Sequence, residues 1–148
     1  MLSSILINLF ERDMSRLEEE IAAYETEAAI WRVPAGIHNS AGNLCLHLCG
    51  NLQHFVGAVL GKTDYVRNRE LEFSAKNVPR QDMLTQIGTT RRILLTVIVG
   101  LTPEEMEKPY PEKVLSGDLT VGHFLVHLST HLNYHLGQIN YHRRLTQS

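Results

Sequence analysis

The chain has 148 residues, a formal net charge of −2, two cysteines and eight histidines. That length predicts one domain spanning 1–148, large enough to bury a core without a disulfide or a structural metal. With 43% hydrophobic and 20% charged residues the composition excludes disorder, and a sequence pI near 6.4 excludes a nucleic-acid partner held by a broad basic surface.

The first segment, MLSSILINLF, lacks a basic start and a cleavage site. No apolar run approaches the ~20 residues of a membrane span. Cys45 and Cys49 stand four apart in a helical pattern, a spacing that does not favour a disulfide. A reduced, cytoplasmic setting with no membrane attachment is the expectation.

Four long helices are predicted. Over 3–28, Leu6, Phe10, Met14, Leu17, Ile21 and Tyr24 recur at spacings of three and four, with the charged residues falling between. Pro34 and Gly36 punctuate the chain. Asn39 or Ser40 then caps a second helix that runs to about Leu60. Residues 61–79 read as polar and irregular. A third helix starts at Pro79 and runs to about Gly100. Thr102-Pro103-Glu104-Glu105 has the form of a capping box on a short turn. After a Pro- and Gly-rich loop, Thr120 caps a fourth helix that reaches about Leu145.

This is the pattern of an all-α four-helix bundle. The second helix is about 31 Å long at 1.5 Å per residue. The connection of 61–79 can cross that length at about 3.3 Å per extended residue. The second and third helices are therefore expected to run parallel, joined by a crossover along the bundle.

Charge is partitioned between the helices. Residues 33–61 and 119–142, 29 and 24 positions, hold no Asp, Glu, Lys or Arg. Helices so free of charge are expected to be enclosed, by the bundle or by a second subunit. The two helices in these stretches carry seven of the eight histidines: His47 and His54 in the second helix, and His123, His127, His131, His135 and His142 in the fourth, with His38 in a loop. A lone buried histidine is usually a hydrogen-bonded core residue, but a set on two facing helices needs a shared reason.

At about 100° per residue, His131 and His135 differ by only about 40° and about 6 Å, the spacing of a chelating pair. If the second and fourth helices are antiparallel neighbours, placing His47 level with His135 makes one layer of His47, His131 and His135. That placement sets His54 level with Leu128, so that His127 is its neighbour in a second layer. Three imidazoles are the usual protein share of a catalytic metal site. Two are better suited to supporting hydrogen bonds behind it. Asn43 and Asn51, one turn before and after His47, are equally candidates for such support and for bonding one another between helices. Gln138 and Tyr134 flank the histidine stripe and are similar candidates. Arg67 and Arg69 in the crossover are candidates to receive a substrate anion, against the plainer reading of solvated loop charges. Cys45 and Cys49 point away from His47 and read as core.

No Glu stands three residues before a His, so a di-iron carboxylate bundle is not expected, and there is no HExxH, GxSxG or P-loop.

NSAGNLCLHLCGNL (39–52) and HFLVHLSTHLNYHLGQINYHRRL (123–145), with its His131-x-x-x-His135-x-Gly137-Gln138 form, resemble the DinB-like superfamily of bacterial four-helix metalloproteins. YVRNRELEFS (65–74) is similar to one branch of it. The resemblance spans nearly the whole chain. It implies a bundle with a crossover between helices two and three, and a divalent metal held by one His from helix two and two from helix four, which map to His47, His131 and His135. It also implies a homodimer. Some members are thiol-S-transferases using a low-molecular-weight thiol, and relatives include a thiol-dependent maleylpyruvate isomerase. Imidazole ligands suit Zn, Ni, Fe or Cu. Three functional readings follow: a metal-dependent enzyme acting on a small molecule, by thiol transfer or by hydrolysis; a metal-binding protein without catalysis; and a dimerisation module whose histidines tie its core.

Overall fold

The computed structural model describes residues 1–147 and is built from helices; strand-like pairing among the described residues is confined to two isolated bridges, Pro109 with Thr120 and Val114 with Gly117. The elements are α1 (Leu2–Ala23), α2 (Glu27–Ile30), α3 (Ala41–Leu52) with a π-helical continuation over Gln53–Leu60, α4 (Arg69–Ser74), α5 (Arg80–Gly100), α6 (Pro103–Met106) and α7 (Val121–Thr146).

The caps explain the starts. Ser40 Oγ accepts from Asn43 N at α3, Thr102 and Glu105 complete a capping box at α6, and Thr120 accepts from His123 N at α7. The first helix ends earlier than its apolar pattern, because Tyr24 turns extended (ψ 132°) and Thr26 caps a separate short helix. Tyr24 leaves the helix to take a buried place, its hydroxyl 2.7 Å from His142 Nδ1.

Side-chain pairs give the directions. Along α3 and its continuation, Gln53 bonds Thr90 (3.1 Å), while Gly57 and Gly61 face Ile93 and Val97 of α5. Both sets of numbers rise together, so these helices are parallel and the connection between them is a true crossover. Arg91 pairs with Glu18 and Arg80 caps the end of α1, so α1 and α5 are antiparallel. Asp13 meets Asn133 and Glu20 meets Asn140, so α1 and α7 are parallel.

The crossover is not wholly irregular: Asn68 accepts from Leu71 N and starts α4 within it. The π turns over Gln53–Leu60 have a packing cause. A Cβ on Gly61 would stand 2.5 Å from Val97 Cγ2, and one on Gly57 would stand 3.1 Å from Ile93 Cγ2. The two glycines let the chain press onto α5, and the widened turns accommodate that approach.

The two histidine-bearing helices differ in enclosure. In α3 every residue from Ala41 to Leu52 except Leu46 is buried. The α7 helix buries Phe124, Leu125, Leu128, Leu132, Leu136 and Ile139 but leaves a stripe with Val126, Tyr134 and Tyr141 exposed. No described helix is long and apolar enough to cross a membrane.

Candidate metal centre

α3 and α7 are antiparallel neighbours: His47 meets His131, and Phe55 packs on Phe124 nearer the start of α7. This register sits about one turn away from the one that helix ends suggest, because the Phe55–Tyr110–Phe124 cluster, with Tyr110 Oη donating to the Phe55 carbonyl (2.7 Å), fixes it.

His47, His131 and His135 converge. One ring nitrogen from each lies within 4.8 Å of the others. His47 Nε2 and His131 Nε2 are 3.3 Å apart. Imidazole nitrogens at 2.0–2.1 Å from a tetrahedral ion are separated by about 3.3–3.4 Å. The donor type and this spacing therefore fit a divalent ion.

The outer ring nitrogens are arranged to leave the inner ones free. His47 Nδ1 is 3.0 Å from Glu72 Oε1, and His135 Nδ1 is 2.7 Å from Gln138 Oε1. Both partners accept, so each Nδ1 carries a proton, and in the neutral ring Nε2 keeps its lone pair. Arg67 Nη2 lies 3.4 Å from His47 Nδ1 but donates to Glu72 Oε1 at 2.9 Å. His131 Nδ1 is buried without a partner among the described residues.

Burial and neighbouring charge disfavour the charged form of the two α7 histidines. Burial first, then the facing histidines and Arg67, lower His131 to about 4. Burial also lowers His135, opposed by the Gln138 hydrogen bond and assisted by His47. Burial alone would raise Glu72, but hydrogen bonds from His47 and Arg67, and the charge of Arg67, hold it below the usual carboxylate range. The centre thus combines two α7 histidines biased toward their neutral form with one ionised carboxylate beside His47.

Glu72 is the residue that sequence reasoning missed. It sits 6% exposed on α4, and no local pattern in RELEFS marks it as buried. The available signal was indirect: α3 has no carboxylate of its own, and the crossover passes over it. Asn43 secures that element, its Nδ2 donating to the carbonyls of Glu72 (2.9 Å) and Ala75 (2.8 Å). Its Oδ1 accepts from Ser40 Oγ (2.7 Å).

The other candidate residues take separate positions. His54 Nε2 faces Glu112 Oε2 at 3.2 Å, whereas His127 stacks on Phe124. Asn51 Oδ1 is buried with no partner among the described residues. Arg67 forks Glu72 through Nε and Nη2 (both 2.9 Å), and Arg69 lies over Phe73. Tyr134 is exposed with its ring against His135. His142 is a core residue, its Nε2 donating to the Arg32 carbonyl (2.8 Å). Cys45 and Cys49 are free thiols in the core. His38 lines a cleft and His123 is exposed at the start of α7.

Two clefts each have one histidine of the triad in their wall. One, about 410 Å³, has His135 in its wall with Leu44, Tyr134 and Tyr141. The other, about 420 Å³, has His131 in its wall with Asn51, His54, Arg67 and Lys113. Along α3, His47 lies between Leu44 of the first cleft and Asn51 of the second, and along α7 His131 and His135 stand at the facing edges of the two.

Among solved structures, the chain is similar to the "conserved protein of locus from Enterococcus faecalis", with a TM-score of 0.78 and 18% identity over 97% of this chain and 96% of that one. At that identity the likeness is one of fold. No curated protein matches. The family model of the DinB superfamily matches residues 9–139. The chain therefore belongs to the DinB superfamily.

Proposed function

We propose that the protein is a metal-dependent transferase that joins a low-molecular-weight thiol to a small electrophile, with the ion held by His47, His131 and His135. The observation that carries this reading is the pair of clefts flanking one three-imidazole cluster, each with a ligand histidine in its wall. Each volume suits a small molecule, and a transfer reaction needs room for two.

A divalent ion held by three neutral ligands keeps its full charge and open positions, and so acidifies a thiol brought to it. The chain's own residues do the rest. Glu72 and Gln138 hold His47 and His135 with their Nε2 atoms free. The mainly apolar cleft beside His135 suits an electrophile with a hydrophobic body. The cleft beside His131 suits a charged thiol, with Lys113 in its wall placed to meet an anionic group. Zn, Ni and Fe all accept this ligand set.

The exposed stripe of Val126, Tyr134 and Tyr141 on α7, which carries no charged residue before Arg143, supports a homodimer built on that helix. The reduced thiols Cys45 and Cys49 support a cytoplasmic setting.

The test is a conjugation assay across thiols and electrophiles, with the metal removed by chelation and restored. Turnover that requires both metal and thiol is expected. Metal-dependent turnover without thiol would replace this reading with a hydrolase. Stoichiometric metal without turnover across the panel would favour a non-catalytic metal-binding protein.

A further inference from the structure

We propose that Glu72 is a positioning residue for the metal centre, supplied by the crossover rather than by the helices that carry the ligands. This inference rests on the metal reading above.

Five observations converge on it. The Glu72 carboxylate is 6% exposed, so its burial needs compensation, and its partners are specific. It takes the Nδ1–H of His47 at 3.0 Å. It is gripped through both oxygens by the Arg67 fork. It rests on Gly50, where an added Cβ would collide with its carboxylate. Asn43 then pins the α4 backbone to α3 at Glu72 and Ala75.

The geometry has one chemical consequence. A free imidazole favours the proton on Nε2, which would block the atom facing the triad. A carboxylate fixed at Nδ1 reverses that preference, orients the ring and strengthens Nε2 as a ligand. Arg67 keeps the carboxylate in place and ionised. Gly50 provides the seat. The bundle thus builds its first ligand from three separate pieces: the α3 turn, the α4 carboxylate and the Arg67 fork.

The experiment compares zinc affinity, by competition with a chromogenic chelator, for the wild type, Glu72→Gln, His47→Ala and the double variant, with folding checked by circular dichroism. Loss of such a partner typically weakens metal binding 10- to 100-fold, and that range is expected for Glu72→Gln. In the His47→Ala background the second substitution should change affinity less than about twofold, since the carboxylate acts through that ring. Gly50→Ala, which displaces the carboxylate without altering a charge, should also weaken zinc binding. The histidine tautomers of the metal-free protein, read by long-range proton–nitrogen NMR, should show His47 protonated at Nδ1 in the wild type and shifted toward Nε2–H in Glu72→Gln.

Zinc affinity of Glu72→Gln within twofold of wild type would overturn the proposal. So would an equal loss in the His47→Ala background, or an unchanged His47 tautomer. A wild type that takes up no zinc would overturn the metal reading, and the tautomer measurement would still decide whether Glu72 orders His47.

Discussion

Acid should destabilise the metal-free protein through the same histidines that form the centre. His131 titrates at about 4 in the folded chain against an ordinary value of 6.5, because burial first, and then the facing histidines and Arg67, disfavour its charged form. The unfolded chain therefore takes up a proton before the folded one does, and stability falls as pH drops from 6.5 toward 4. At pH 5 those two values correspond to about 2 kcal/mol from this one group. His131 is only partly enclosed, so solvent screening reduces the figure to about 1 kcal/mol. His135 acts in the same direction, its titration also lowered by burial. The measurement is urea unfolding of chelator-treated protein at pH 7.5 and pH 5, for the wild type and His131→Gln. The wild type should lose about 1 kcal/mol more than the variant between the two values. Equal losses would show that His131 is not held neutral by its surroundings, and the electrostatic description of the site would fail.

Further outcomes follow from other parts of the fold. His142→Ala removes a buried ring bonded at both nitrogens, to Tyr24 and to the Arg32 carbonyl; thermal and urea melts should register a loss of about 2–4 kcal/mol, with the zinc stoichiometry of the folded variant unchanged. Gly61→Ala drives a methyl into Val97 and the Gly57 carbonyl, and should cost about 1–3 kcal/mol in the same melts; a neutral result would contradict the packing origin of the π turns. Tyr141→Glu on the exposed stripe of α7 should shift a dimer toward monomer in sedimentation velocity without altering the secondary structure.

Much of the fold was legible because its signals are local. Ser40, Thr102 and Thr120 announce helix starts through backbone hydrogen bonds that their own side chains make. The length of the crossover was enough to argue that α3 and α5 run parallel. The convergence of His47, His131 and His135 followed from the helical period and from an antiparallel pairing of α3 with α7.

What was hidden depends on partners distant in sequence. The π turns arise from Gly57 and Gly61 closing onto Ile93 and Val97, a contact invisible within 53–61. Tyr24 leaves α1 to reach His142, across most of the chain. Glu72 lies in a segment whose composition reads as a solvated loop, and only its contacts with His47, Arg67 and Gly50 reveal a buried carboxylate. The pairing of His54 with Glu112 depends on a loop whose path the helical period does not describe.

The central claim is that His47, His131 and His135 hold one divalent ion. Its most direct test is elemental analysis of the protein after incubation with zinc and gel filtration, for the wild type and for His131→Ala. The expected result is one zinc ion per wild-type chain and none retained by the variant, with both proteins folded. A wild type without stoichiometric metal, or a variant that binds as the wild type does, would contradict the account.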